Sequence, residues 1–363
     1  MRRALQLAAL ADHATSPNPM VGAVVLDRGG RWAGQGYHRR AGEPHAEVLA
    51  LAEAGPRAEG GTLYVSLEPC AHHGRTPPCT DAILAAGIRR VVAAIEDPDP
   101  KTRGRGLARL RDAGLQVEVG LEEAGARRLN RFYLKHRTTG LPFVTAKFAI
   151  SLDGRIATAA GESRWITGEA ARAEGHRLRQ RHDAILVGAG TVLEDDPRLT
   201  NRLPGAARQA LRVVLDSTLR IPAEAALLTG QGEAPTLVAT TARAPEAAVA
   251  AVESAGAEVL RLPASGPRER VDLAALLEEL GRRDLLSVLV EGGAEVHGAF
   301  FDAGLVDAVV AFVAPIVIGG ERAPSAVGGA GVKTLSDALR LEDLEVTRLG
   351  DDLMLSGDVH RDR

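Results

Sequence analysis

The sequence predicts an α/β protein built from two domains. Short apolar runs alternate with helical patterns along the whole chain, as expected where strands are separated by helices. At about 100–200 residues per domain, the 363 residues leave room for two domains or three. Between the two alternating halves lies Thr138-Thr139-Gly140-Leu141-Pro142, a Gly/Pro-punctuated stretch that reads as a linker before a new apolar run at Phe143. The expected division is therefore 1–140 and 141–363.

In the first part, strands are predicted over 21–26, 32–37, 62–67 and 90–95, with helices over 2–14, 45–54, 79–86, 106–113 and 122–136. Gly87 and Gly114 stand where helix C-terminal stops are expected. In the second part, strands are predicted over 143–150, 184–187, 212–216, 236–239, 258–262, 286–290 and 308–317. Helices are predicted there over 169–181, 245–255, 273–280 and 294–303, and 341–359 reads as terminal strands turning at 350–352. The Ala-rich stretches are helix composition, and no internal repeat is visible.

Hydrophobic content of 45% and charged content of 25% are ordinary for a globular chain. With aromatics at only 3%, the cores must be built from Ala, Val, Leu and Ile. A formal net charge of −3 and a pI near 6.4 offer no basic surface for nucleic acid. No uncharged apolar stretch reaches the ~18 residues of a membrane span. The start of the chain is basic and then apolar, but Asp12 and His13 interrupt it. It reads as the amphipathic first helix of a cytoplasmic protein.

There are two cysteines, Cys70 and Cys79. On spacing alone they allow a local disulfide, two inert buried thiols or a metal site. Their company favours the metal. His45-Ala46-Glu47, Glu68-Pro69-Cys70 and Cys79 together offer one imidazole and two thiolates, a three-ligand zinc set with an open fourth position. Zinc there would bring the pKa of a bound water toward neutrality. Glu47, two positions from His45, does not share its helix face and is disfavoured as a ligand. It can serve instead as the proton carrier if the pair opens a helix, which Pro44 suits. Each thiol follows proline, Cys79 at the head of an apolar helical pattern, where the helix N-terminus eases deprotonation. The pattern follows the H-x-E…P-C logic of zinc nucleobase deaminases. Here, however, the cysteines stand nine positions apart, wider than C-x-x-C. The competing reading is a structural zinc, closed by His72 or His73 as a fourth ligand.

Three stretches carry a resemblance. They are 15–24 (Thr-Ser-Pro-Asn-Pro-Met-Val-Gly-Ala-Val), Pro44-His45-Ala46-Glu47, and 68–79, which holds the long insert between the cysteines. The first domain resembles the cytidine/deoxycytidylate deaminase superfamily, and more narrowly the bifunctional deaminase–reductases of bacterial riboflavin biosynthesis. The resemblance implies a three-layer α/β/α deaminase domain followed by a reductase domain with a dihydrofolate-reductase-like fold. It covers nearly the whole chain. It implies Asn18 as a substrate contact, and His72 and Arg75 as groups facing the phosphate of a ribosylated pyrimidine. For His73 a phosphate contact and a solvated loop remain equal alternatives.

In the second domain the supporting stretches are 143–154, 161–167, 187–200 and 288–294. The last is an apolar strand running through Gly292-Gly293 into a helix, which presents backbone N–H groups to a pyrophosphate. Alone it is equally a tight packing turn, and it is not the G-x-G-x-x-G fingerprint. The resemblance implies NADPH held by Ala149, Trp165, Thr191, Asp195, Ser217 and Gly293, Ala294, Glu295, Val296, His297, Gly298 and Ala299. It implies substrate contacts at Ser163, Arg179, Leu199, Arg202 and Glu291. For Trp165 the alternative is an ordinary core residue. Lys147 and Asp195 are candidates to assist reduction at C1 of the opened ribose, with plain ion pairing the alternative for Lys147.

The implied reactions are deamination of 2,5-diamino-6-ribosylamino-4(3H)-pyrimidinone 5′-phosphate, then NADPH reduction of the product's ribose. The implied partners are small phosphoribosyl-pyrimidines, with no nucleic acid, no membrane and a homodimer through the second domain. Two readings compete: a nucleic-acid deaminase with an appended domain, which the low aromatic and basic content disfavours, and a structural zinc module on a nucleotide-sensing domain, which would tolerate loss of Glu47.

Overall fold

The chain divides between Leu141 and Pro142 into two units. The computed structural model describes residues 1–360 apart from 75–76, 205–207, 231 and 233. The expectation for Arg75 therefore falls outside the described residues.

The first unit runs α1 (Arg2–Ala9), β1 (Gly22–Leu26), β2 (Trp32–Tyr37), α2 (Ala46–Ala54), β3 (Thr62–Val65), α3 (Cys79–Ala85), β4 (Arg90–Ala93), α4 (Arg105–Asp112), β5 (Gln116–Val119), α5 (Glu123–Leu129) and α6 (Arg131–Thr139). Its sheet has the order β2-β1-β3-β4-β5. β1 is antiparallel to β2 and β3, while β3, β4 and β5 are parallel. Alternation along β1 sends Ala23 and Val25 to one face, where they meet Ala46 and Ala50 of α2, Ile83 of α3, and Leu107 and Leu110 of α4. Val24 faces the other way, onto Ala4 and Leu7 of α1. Helices thus cover both faces, giving the expected three layers.

Small residues set how closely α2 approaches the sheet. A Cβ on Gly36 of β2 would lie 2.7 Å from the Ala46 carbonyl oxygen and 2.8 Å from the Ala50 nitrogen. Only glycine lets this helix lie against β2 with its first turn fixed, and that turn carries Glu47.

Three local expectations change. The first helix stops at Ala9 rather than running to residue 14, because Asp12 and His13 take left-handed backbone (φ 41° and 63°). The helix expected over 122–136 is two helices broken at Asn130. The buried Asn130 amide accepts from the Met20 N–H at 2.8 Å and donates to the Met20 carbonyl at 2.9 Å, a clamp that competes with continuous helix. β5 was not expected, since Gln-Val-Glu-Val is a short, largely exposed edge strand with no apolar run.

The second unit runs β6 (Phe143–Ser151), α7 (Glu169–Arg181), β7 (Ala184–Gly188), α8 (Ala189–Asp195), β8 (Leu211–Leu215), α9 (Ala226–Thr229), β9 (Thr236–Thr240), α10 (Glu246–Ser254), β10 (Glu258–Arg261), β11 (Ala264–Ser265), β12 (Arg270–Val271), α11 (Leu273–Arg282), β13 (Ser287–Val290), α12 (Ala294–Asp302), β14 (Ala308–Ala314), β15 (Leu341–Leu349) and β16 (Asp352–Val359). Its main sheet has the order β10-β9-β8-β7-β13-β6-β14-β16-β15. From β10 to β14 all neighbours are parallel. β7, β9 and β13 are buried at every position, which is why they read as unbroken apolar runs. The last two strands form the expected hairpin, antiparallel to each other, and β16 also pairs antiparallel with β14. Gly350 supplies a left-handed residue at its turn (φ 67°). The helices α8 and α9 and the β11–β12 hairpin were not expected.

Candidate active sites

In the first unit His45 is the N-cap of α2, Glu47 lies in that helix's first turn, and Cys79 is the first residue of α3. The strand-to-loop segment after β3 brings in Cys70. The donor atoms of His45, Cys70 and Cys79 all lie within 4.8 Å of one another. His45 Nδ1 is 3.2 Å from the Cys79 sulfur and 3.7 Å from that of Cys70. Zn–N of ~2.0 Å and Zn–S of ~2.3 Å set tetrahedrally would separate N from S by about 3.5 Å, so the set fits zinc. The cysteines carry no disulfide.

Hydrogen bonds from Cys79 and His45 draw the Cys70 thiol down to about 4, favouring its thiolate. The Cys79 thiol is pushed up because it donates to that charged partner. Burial pushes the Glu47 carboxyl up to about 6. Its Oε2 is buried without a hydrogen-bond partner. An orphaned carboxylate oxygen in a cleft beside a metal set is a proton acceptor in need of a ligand.

The cleft around this set has a volume of about 310 Å³. Asn18 lines it, with its amide 3.2 Å from His38 Nε2, and so does the exposed His72. His72 and His73 are not among the grouped donors, so among the described residues the set has three protein ligands and a fourth side left for a non-protein one. His73 is exposed, with no contact that selects between its two readings.

Sequence reasoning assigned no role to Glu68, Asp97 or Tyr133. The buried Glu68 carboxylate accepts the backbone N–H groups of Asp97, Gly104, Gly106 and Leu107 at 2.9–3.2 Å. It ties the Cys70 segment to the start of α4. Burial pushes the Asp97 carboxyl up to about 6, and it accepts the Tyr133 hydroxyl at 3.0 Å. Glu68 stood in plain view in Glu-Pro-Cys. The signal it lacked was its partners, which lie 29–39 positions away and are backbone atoms.

In the second unit a cleft of about 990 Å³ opens at the carboxyl ends of parallel strands. Gly188 ends β7, Ser217 follows β8, and Gly293 follows β13. Thr191, Asp195, Ser217, Gly293, Ala294, Glu295, Val296, Ala299 and Ser163 line it. Gly293 is the N-cap of α12, so free N–H groups of that helix meet the cleft. The Ser163 hydroxyl donates to Asp195 at 3.3 Å.

Not every expected contact faces this cleft. His297 is buried, bonded to the carbonyls of Val290 and Ala326, and Gly298 is pressed against Gly328 and Gly329. These two sit on the packed side of α12. Trp165 is 67% exposed, which removes the core reading, and the Arg172 guanidinium lies 4.7 Å over its ring. Ala149 packs partly buried on the sheet. Leu199 is buried with left-handed backbone (φ 52°), and Arg202 is exposed with its N–H donating to His176.

A second group gathers on β6, α7 and the end of β13. Arg179 grips Glu291 with two hydrogen bonds of 2.7 and 2.9 Å and also donates to the Thr200 carbonyl. Lys147 reaches Glu291 at 3.4 Å. Burial alone would raise the Glu291 carboxyl, but Arg179 and Lys147 outweigh it and hold it well below the usual range. Lys147 is thus in an ion pair, and the pair adjoins residues expected to meet substrate.

A His/Cys/Cys set with a buried carboxylate on one unit, and a strand-end nucleotide cleft on the other, define a two-site enzyme: a zinc-type deaminase joined to a reductase. Residues 1–95 match the cytidine and deoxycytidylate deaminase zinc-binding region, and residues 142–355 match the RibD C-terminal domain. The riboflavin biosynthesis protein RibD of Bacillus amyloliquefaciens is 43% identical over 372 residues, covering 100% of this chain and 99% of its own. A solved structure of Acinetobacter baumannii RibD superposes with a TM-score of 0.88 at 37% identity, covering 99% of this chain and 98% of its own. A Thermotoga maritima structure described as a diaminohydroxyphosphoribosylaminopyrimidine deaminase/5-amino-6-(5-phosphoribosylamino)uracil reductase gives 0.81 at 34%, covering 99% and 97%. The chain belongs to the RibD family of riboflavin biosynthesis proteins.

Proposed function

We propose that the two clefts perform consecutive steps of riboflavin biosynthesis, with the residues in the following roles. The first unit deaminates 2,5-diamino-6-ribosylamino-4(3H)-pyrimidinone 5′-phosphate, and the second reduces the ribose of the deaminated product to the ribityl chain. The observation that carries this reading is the His45/Cys70/Cys79 set beside the orphaned Glu47 oxygen.

Zinc, when held there, supplies Lewis-acid activation of water, and NADPH in the second cleft supplies the reducing equivalent. His45, Cys70 and Cys79 hold the metal. The Glu47 carboxylate accepts a proton from the attacking water and passes protons to the ring nitrogen and the departing ammonia. Asn18 and His72 position the pyrimidine and its phosphate. In the second unit Gly293 and Ala294 offer N–H groups to the cofactor's pyrophosphate, Thr191 flanks it, Ser217 contacts the cofactor farther along the cleft, and Trp165 covers its reactive end. Arg179 and Arg202 take the substrate phosphate. Glu291 fixes Arg179 and Lys147, and Lys147 with Asp195 moves the proton that accompanies reduction.

No described helix is long and apolar enough to cross a membrane. We read the chain as a cytoplasmic homodimer that binds no nucleic acid. Leu344, Val346 and Leu353 support the dimer, because they leave the β15–β16 hairpin apolar and exposed. A mass of only 38.1 kDa in solution would overturn it.

Cys79→Ser tests the assignment of the two clefts. It should lose bound zinc and ammonia release while still oxidising NADPH when given the deaminated pyrimidine. Full ammonia release by this variant would refute the metal assignment.

A further inference from the structure

The reductase cleft has one arginine-rich end, and the structure assigns it to the phosphate that distinguishes NADPH from NADH. This inference rests on the NADPH reading above and names the residues that would enforce it. Arg220, Arg243, Arg268 and Arg270 all line the cleft. They come from three separate segments: the loops after β8 and β9, and the β11–β12 hairpin.

Hydrogen bonds stitch these segments together. The Val271 N–H donates to the Ser217 hydroxyl at 3.1 Å, and the Thr241 hydroxyl donates to the Ser217 carbonyl at 2.8 Å. The Arg243 N–H donates to the Thr241 hydroxyl at 3.2 Å, and its guanidinium donates to the Arg268 carbonyl at 3.3 Å. The cluster is therefore built around Ser217, at the carboxyl end of β8.

Position follows from the strand order. The helix N-terminus at Gly293 follows β13, and β7, β8 and β9 lie successively beyond it. Strands are spaced about 4.8 Å apart, so β8 lies about 10 Å from β13. A dinucleotide with its pyrophosphate at Gly293 must direct one end toward Ser217 and the arginines. Asp195, given a role in reduction above, lines the same cleft together with Ser163.

The four guanidiniums face the carboxylates of Glu295, Glu269 and Asp216, which leaves a net positive end. Arg268 and Arg270 share Glu295 at 3.3 and 2.8 Å, in pairs whose side chains are largely exposed. Such pairs hold little energy and exchange readily. A phosphate monoester brings more than one negative charge and three acceptor oxygens, which suit arginine forks. We infer that Arg243, Arg268 and Arg270 bind the 2′-phosphate of the adenosine ribose, with the Ser217 side chain and Thr218 beside it.

The test is a direct titration of full-length protein with NADPH, NADH and 2′-AMP, read by cofactor fluorescence and by calorimetry. Wild type, Arg243→Gln, Arg268→Gln, Arg270→Gln and the triple variant are compared. The triple variant should bind NADPH about 10- to 100-fold more weakly, the loss expected for charged hydrogen bonds. Its NADH affinity should stay within about twofold of wild type, a retention that also reports a folded cleft. Binding of 2′-AMP should disappear. The single variants carry the same test if the triple variant unfolds. Equal weakening toward NADPH and NADH, or no change toward either, would overturn the assignment while leaving the reductase reading intact. Wild type that binds neither cofactor would instead overturn the reductase reading itself.

Discussion

Glu47→Gln should cut ammonia release roughly 100- to 10,000-fold, the usual worth of a positioned general acid–base group. The amide matches the carboxylate in shape, so His45, Cys70 and Cys79 should still hold zinc at full stoichiometry. Only the proton traffic is lost. Glu47 is buried, its Oε2 has no protein partner, and it lies in the first turn of a helix seated on Gly36. These features give the carboxylate one available task, which is to serve whatever occupies the cleft. Zinc analysis beside an ammonia assay decides the matter. Retained turnover in Glu47→Gln would favour the structural-zinc reading.

Arg179→Met should destabilise the second unit by about 3–5 kcal/mol, because it strands a buried carboxylate. At about 2–4 °C per kcal/mol for a unit of this size, melting should fall by roughly 6–20 °C. Glu291 and Arg179 have side chains only 6% and 16% exposed, so solvent cannot replace the lost partner. Lys147, at 3.4 Å, keeps part of the compensation. The pairing also fixes the sign of the pH dependence. The Glu291 carboxyl is held below its unfolded value, so its stabilisation is present above the ordinary carboxylate range. That contribution is lost as pH falls through the depressed value. Thermal unfolding of Arg179→Met and of Arg179→Met/Glu291→Leu separates the causes. The double variant should recover much of the loss, since no unpaired charge remains. A single variant as stable as wild type would mean that the pair contributes nothing.

Much of this chain was legible in its sequence, for identifiable reasons. Strands such as β7 and β13 are buried on both faces, so they appear as plain apolar runs. His45, Glu47, Cys70 and Cys79 are chemically scarce types in a narrow pattern, and two of them sit at helix starts that proline announces. What escaped was whatever depends on partners distant in sequence. The Asn130 clamp on Met20 breaks a helix that periodicity alone would continue. Glu68 acts on backbone groups of a later loop. The arginine end of the reductase cleft is drawn from three segments, none of which reads as a motif. His297 and Gly298 show the converse limit: the segment expected to hold the cofactor is contiguous, whereas one side of α12, including His297, Gly298 and Phe300, packs into the core.

The most direct test of the central claim is a paired progress curve on the wild-type protein given the diaminopyrimidine phosphate and NADPH. One ammonia should be released and one NADPH oxidised per substrate, with ammonia release leading. NADPH oxidation without ammonia, or ammonia release with no NADPH consumed, would contradict it.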